Sequence, residues 1–257
     1  MRMGIMGISR KAWLIYGIML AVYGLTAFLT YTFFSDQLAA SSAQPMPPLQ
    51  APSVVSGLTT AIVIMLAYGL LGAAGLWLSR KLDLPGVFSP GGNWRRWFWL
   101  PLLLGVVCGV IFIPLDLFFA HINGLGMLPH PSFPLSLLAA LGAGIGEEII
   151  FRVLVFSLWA YLLDKLLKRF HARRLAFWLA NLVAALLFSA GHLGSLMILS
   201  GATTPAALKP GLLVEIFLMN GMLGLVAGER YWKDGLVAAA GVHFWADMTW
   251  HVLWGLI

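Results

Sequence analysis

Seven long runs of apolar residues divide the chain, at 12–34, 54–79, 97–120, 135–163, 175–199, 211–228 and 235–257, and the polar residues gather mainly between them. Each run is near the ~20 residues that an α-helix needs to cross the hydrocarbon core of a bilayer. The pattern predicts an all-α, polytopic membrane protein of about seven transmembrane helices, folded as a single membrane domain over 1–257. The first run could instead be a signal peptide followed by Ala39 and Ala40. Its apolar stretch of 23 residues is longer than the ~7–15 of a usual signal core, so a membrane helix is the better prediction.

The charges between the runs are an independent signal, and they alternate. Arg2, Arg10 and Lys11 precede the first run, and Arg80, Lys81, Arg95 and Arg96 follow the second. Lys165, Lys168, Arg169, Arg173 and Arg174 follow the fourth, and Arg230 and Lys233 the sixth. The first connection, 35–53, is rich in Ser, Ala and Pro and has no Lys or Arg. The third has none either, and the fifth has only Lys209. Fourteen of the 16 basic residues thus fall on one side. Lys and Arg are retained on the cytoplasmic side of membranes, so the N-terminus is predicted inside and the C-terminus outside. Trp13, Trp97, Trp99, Trp159 and Tyr161 lie near run ends, where interfacial anchors belong. From Asp164 to Arg174, Leu and Phe mix with five basic residues, which predicts that the fourth helix extends onto the lipid surface. Pro101, Pro114, Gly105 and Gly109 mark points of kinking or close helix packing.

Composition supports the membrane reading. Sixty per cent of the residues are hydrophobic and 10% charged, against ~25% charged in soluble domains; the mean hydropathy is +0.89. The net charge of +6 reflects basic loops that orient the chain rather than a nucleic-acid partner. The expected partners are membrane lipid and a membrane-bound substrate. The one cysteine, Cys108, lies in an apolar run and reads as a packing residue. The alternating glycines 142, 144 and 146 do not follow a strand, so they form no phosphate loop.

Ionisable residues inside the runs then stand out, because each charge at a bilayer centre costs roughly 2.5–3.5 kcal/mol. They are Asp116, Glu147, Glu148, Arg152, His192, Glu215, His243, Asp247 and His251. Glu148 and Arg152 stand at i,i+4 with the acid first, the favourable order for a pair on one helix face. Glu147 points ~100° away from Glu148 and faces something else. The glycines just before it let another helix come close. His243, Asp247 and His251 repeat at i, i+4, i+8, and Phe188 and His192 stand at i,i+4. At ~1.5 Å per residue, Glu147, His192 and Asp247 lie ~21, ~17 and ~18 Å into their helices, and His243 ~12 Å. These levels agree only loosely. A carboxylate base, imidazoles and an Asp meeting between helices four, five and seven could activate a water and stabilise an oxyanion. The same groups, Glu147, His192 and His243, could hold a zinc ion. A buried Glu–Arg pair alone is more often a structural clamp or a transport element, and a lone buried His more often packs through a hydrogen bond. Spacing gives Asp116, Glu215 and His251 no partner, and His121, His130 and His171 fall in loops and receive no function.

Taken together, GEEIIFR, Phe188-Ser-Ala-Gly-His192 and His243-Phe-Trp-Ala-Asp247 resemble three motifs of the CPBP family, the CAAX-processing and bacteriocin-processing (Abi) membrane proteins. These are EExxxR, FxxxH and a His followed four residues later by Asn or Asp, and they occur here in order over about 135–250. The resemblance implies a polytopic intramembrane endopeptidase of glutamic type that needs no metal. Glu147 and His192 would activate water, His243 and Asp247 would stabilise the oxyanion, and Glu148, Arg152 and Phe188 would support them. An ionised Asp247 would repel an oxyanion, so Asp247 is expected either to be protonated or to orient His243 through its ring N–H. The implied substrates are membrane-associated peptides, prenylated CAAX-type or bacteriocin-like, in a prokaryotic cell membrane. The alternatives are a zinc-dependent protease using the same residues, a non-catalytic scaffold or immunity protein, and a proton-coupled transporter.

Overall fold

The computed structural model describes residues 8–40 and 53–257, and over these the chain is helical apart from its connections. Most of the first connection, 41–52, and Arg2 lie outside the described residues. The helices are α1 (Arg10–Phe33), α2 (Ser35–Ala40), α3 (Ser53–Lys81), α4 (Leu100–Phe119), α5 (Leu135–Glu148), α6 (Ser157–Leu167), α7 (Arg173–Gly191), α8 (Leu193–Ser200), α9 (Pro210–Asp234) and α10 (Leu236–Asp247). Three π-helical turns extend or join them: Arg95–Trp99 leads into α4, Ile149–Phe156 joins α5 to α6, and Met248–Leu253 continues α10. Among the described residues, five rods are long and apolar enough to cross a membrane: α1, α3, Arg95–Phe119, Arg173–Ser200 and α9. The other two long rods, α5–α6 and α10 with its extension, carry the Glu147–Arg152 and His243–Asp247 motifs.

Two boundaries differ from the apolar runs. The sixth run stops at 228, but α9 continues to Asp234 because its polar end is internally paired. Arg230 Nη1 donates to Asp234 Oδ2 at 3.0 Å, Glu229 pairs with both Arg230 and Lys233, and Arg96 Nε reaches Asp234 Oδ1 at 2.7 Å. The connection to α10 is then Gly235 alone. Its φ of +95° favours glycine, and a Cβ there would press the Phe88 backbone at 2.7 Å. The fifth run, expected to be one helix, is interrupted at His192 between α7 and α8. At the other boundary in question, α6 does continue past the fourth run to Leu167 and ends in a 3-10 turn, Lys168–Phe170.

Small residues set the packing around the motif-bearing rods. On α4, a Cβ at Gly109 would stand 2.7 Å from the Ala246 carbonyl oxygen of α10. Gly144 turns to Ala240 and Phe244 of α10, while Gly142 and Gly146 turn to Tyr23 of α1. Helix α5 is therefore wedged between α1 and α10 just before its paired glutamates. Gly224 and Gly228 of α9 bring that helix against Ala185 and Asn181 of α7. Outside this core, leucines such as Leu66 and Leu70 of α3 face outward, as a chain solvated by lipid tails requires.

Candidate active site

Four elements converge on one place. The end of α5 supplies Glu147 and Glu148, and the π-helical turn after it supplies Arg152. The end of α7 supplies Phe188, the break after it supplies His192, and α10 supplies His243 and Asp247. The expected Glu148–Arg152 pair forms, with Arg152 Nε 3.0 Å from Glu148 Oε2 and both side chains fully buried. The guanidinium also lies over the Phe188 ring, 5.0 Å from its centroid, a favourable cation–π placement. Phe188 in turn meets the His192 and His243 rings edge-on at 5.0 and 5.5 Å.

The two imidazoles are fixed through their Nδ1 atoms. His192 Nδ1 is 2.9 Å from the Phe188 carbonyl oxygen, and His243 Nδ1 is 2.9 Å from Glu148 Oε1. A carbonyl or carboxylate oxygen only accepts, so each Nδ1 carries the proton and each neutral ring presents Nε2 as a base. Both Nε2 atoms face Glu147: its Oε2 is 4.0 Å from His192 and 3.8 Å from His243. Three acceptors thus point at one another beyond hydrogen-bond range, an arrangement satisfied only by protons shared among them or by a bound donor. Glu147 and His192 are partly open, with side chains 34% and 31% exposed, whereas Glu148 and Arg152 are sealed.

Asp247 approaches His243 from the Nε2 side of the ring rather than from Nδ1. That nitrogen belongs to Glu148, and Asp247 Oδ2 lies 3.6 Å from Nε2 on the other side of the ring. The glutamate paired with Arg152 therefore has a second partner that spacing along one helix does not reveal. The loosely matched depths also close up, since His243 and Glu147 come within 3.8 Å.

Glu147, His192, His243 and Asp247 line a cavity of about 240 Å³ whose remaining walls are largely apolar, including Phe112, Leu196, Met219 and Trp250. A wider cavity, about 620 Å³, lies between α1, α3 and the 84–90 segment and contains none of these residues. His251, given no function from spacing, also lines the smaller cavity, and its Nδ1 is 3.0 Å from Nδ1 of His130. Burial pushes the His130 imidazole below its ordinary value, with the nearby Asp116 charge acting in the opposite sense. Asp116 and Glu215, also without a partner from spacing, tie down the connection that roofs the cavity. Asp116 Oδ1 accepts from the Leu128 amide at 3.0 Å, and Glu215 Oε2 accepts from Asn123 at 2.7 Å. Only the His243–Asp247–His251 period hints at His251; the partners of His130 and Glu215 lie far along the chain, and that of Asp116 is a backbone amide in the following connection. Among the described residues, no group of three or more His, Cys, Asp or Glu side chains is arranged to hold a metal ion.

Apolar helices long enough to cross a bilayer, with carboxylates and imidazoles gathered around an internal cavity, define an integral membrane protein with a buried acid–histidine site. Residues 129–249 match the family described as Rce1-like, the type II CAAX prenyl endopeptidases. The matched segment holds all three motifs. No curated protein and no solved structure matches the chain.

Proposed function

We propose that the chain is an intramembrane endopeptidase with seven membrane-crossing rods, its N-terminus cytoplasmic, in which Glu147 and His192 activate water. The observation that carries this reading is the pair of imidazole Nε2 atoms at 4.0 and 3.8 Å from Glu147 Oε2, each ring held through Nδ1. A water seated among these acceptors gives one proton to Glu147, with His192 as the second acceptor, and its oxygen adds to the scissile carbonyl carbon. The carbonyl π electrons move onto oxygen. Doubly protonated, His243 donates from Nε2 to that oxyanion, its positive charge facing Glu148. A protonated Asp247 is the second donor; with Nδ1 of His243 taken by Glu148, an orienting role is the weaker alternative. Collapse of the tetrahedral adduct breaks the C–N bond, and the proton held by Glu147 and His192 passes to the leaving amine. The substrate is a membrane-associated peptide.

The family match supports a protease, and the mechanism is proposed to run without a metal. Purified wild type and Glu147→Gln, reconstituted in liposomes with a library of membrane-anchored peptides, test it. Glu147→Gln and His192→Ala are expected to lose ~10²–10⁴-fold in cleavage, the usual contribution of a general base. Chelator treatment should leave wild-type cleavage unchanged. Full cleavage by Glu147→Gln would sink this reading, and a phenotype indifferent to that substitution would favour a non-catalytic scaffold.

A further inference from the structure

A third cavity, of about 430 Å³, lies between the end of α3, the end of α6 and the start of α7, and shares no lining residue with the acid–histidine site. Lys81, Lys165, Lys168 and Arg173 line it, with Tyr161 and a single carboxylate, Asp164. Its volume falls within the ~300–1,000 Å³ of pockets that enclose small ligands.

The walls of this cavity are tied together. Arg173 Nη2 donates to the Leu82 carbonyl oxygen and stands 3.5 Å from Asp83 Oδ2, and its Nε is 3.9 Å from Asp164 Oδ1. One guanidinium thus joins the ends of α3 and α6 to the start of α7, and it takes up both acids in doing so. Among the described residues, no carboxylate pairs with Lys81, Lys165 or Lys168. Rings hold two of these lysines instead. Lys165 Nζ is 4.3 Å from the centroid of the Tyr161 ring, and Lys81 Nζ is 5.3 Å from that of Trp77. A cation–π contact fixes an ammonium without neutralising it. The basic cluster at the end of α9 is built the opposite way. There Glu229 meets Arg230 and Lys233, and Asp234 meets Arg230 and Arg96. That cluster closes on itself, whereas the lysines between α3, α6 and α7 leave positive charge gathered around a space that an anion would fill.

The apolar flanks narrow the kind of anion. Tyr161 and Lys165 share one face of α6 at i,i+4. Leu162 and Leu166 each stand one residue further, ~100° around the helix, and both are exposed. Leu175 and Trp178 of α7 and Trp77 of α3 are exposed as well. Open leucines, neighbouring tryptophans and lysines at rod ends mark the level where lipid headgroups meet hydrocarbon. A soluble anion needs only the charges, but a ligand that also carries hydrocarbon uses the flanks.

We propose that this cavity binds the headgroup of an anionic phospholipid. The phosphate lies among Lys81, Lys165 and Lys168, with the Tyr161 hydroxyl as a further donor, and the acyl chains run along the exposed faces of α6 and α7. The lipid bridges the ends of three rods and braces α6 and α7, the helices that follow Arg152 and precede His192. The site stands whether or not Glu147 activates water.

Native mass spectrometry of the purified chain, titrated with phosphatidylglycerol or phosphatidylcholine, tests the proposal. One phosphatidylglycerol should be retained under conditions that strip phosphatidylcholine, and equal retention of the two would overturn it. A lysine near a membrane surface contributes about fivefold to such binding. Lys165→Gln combined with Lys168→Gln should therefore weaken retention roughly 25-fold. Arg169→Gln combined with Arg174→Gln removes the same charge from residues that do not line the cavity, and should leave the lipid bound. Equal losses in the two double variants would reduce the effect to general surface attraction and overturn the site. Asp164→Asn removes the one carboxylate and should tighten binding by up to about fivefold, a gain that a misfolded variant does not mimic. Unchanged or weaker binding would overturn the placement of the phosphate. Release of the lipid by an equal concentration of inorganic phosphate would assign the cavity to a soluble anion instead. In phosphatidylcholine vesicles, adding phosphatidylglycerol should raise the thermal midpoint of wild type, as a ligand of the folded state does, and should not raise that of the Lys165/Lys168 variant. A midpoint lowered equally in both lipids, with retention unchanged, would show that the lysines only offset the dipoles of helix ends and would overturn the proposal.

Discussion

At the scale of single residues, the two adjacent glutamates have opposite surroundings. Glu147 is open to the cavity, whereas Glu148 is enclosed between Arg152 and His243. The i,i+4 spacing makes the Arg152 pair legible, because both ends lie on one helix face. The His243 contact is not legible, since it depends on how α5 and α10 are rotated against each other. In the proposed mechanism that contact divides the labour of the acids around His243: Glu148 holds Nδ1, and Asp247 is left for the substrate side. Cleavage should therefore be largely kept in Asp247→Asn but fall roughly 10²–10³-fold in Asp247→Ala, the cost of one oxyanion donor. Glu148→Gln should fail differently. It leaves Arg152 buried without its counter-charge, so a stability loss of about 3–5 kcal/mol accompanies the loss of activity. Cleavage rates together with thermal unfolding in detergent distinguish the two. A large activity loss in Asp247→Asn at unchanged stability would return the orienting function to Asp247.

Among the elements, helix existence is readable and helix ends are not. An apolar run stops at its first charge, so hydropathy cuts α9 short at 228 although Arg230 and Asp234 satisfy each other in its last turn. The π-helical turns leave no mark on hydropathy, yet one follows each of the two helices that end on a motif acid, after Glu148 and after Asp247. By composition alone the 120–134 connection is a plain loop. Asp116, Asn123 and Glu215 pin it, and His130 seals it against His251. These partners come from separate elements, so no local pattern announces them. Because burial lowers the His130 imidazole in the fold from its ordinary 6.5, the unfolded chain takes up this proton first as pH falls. Its contribution to stability is thus fully present above about pH 6.5 and declines as pH drops below that value toward the folded pKa. Thermal unfolding followed from pH 7.5 to 5 should show this decline in wild type, and a shallower one in His130→Gln. Equal slopes would show that protonation of His130 does not loosen the roof.

For the whole molecule, the alternation of basic connections is legible along the chain, because it is a property of where charges fall between apolar runs. The convergence of three motifs from three rods is not, because it depends on close approach at residues without side chains. Glycines at 105 and 109 let α4 seat α10, and α10 carries His243 and Asp247 toward the glutamates of α5. A Cβ at Gly109 would stand 2.7 Å from the Ala246 carbonyl and 2.6 Å from the Thr249 Cβ. Backbone cannot yield there as a flexible side chain would, so α10 itself must shift. Overpacking of this kind costs roughly 1–3 kcal/mol, which a chain with a closed core should survive. The site tolerates less, since misplacing reacting groups by ~1 Å costs on the order of 10²-fold in rate. Gly109→Ala should therefore insert and unfold cooperatively, with a modestly lowered midpoint, but lose far more activity than stability. Gly91→Ala, at an open position with nothing within 4 Å, should change neither. Cleavage assays paired with unfolding midpoints for both variants check this. Proportionate losses in Gly109→Ala would mean that the α4–α10 contact holds the fold without setting the distance between His243 and Glu147.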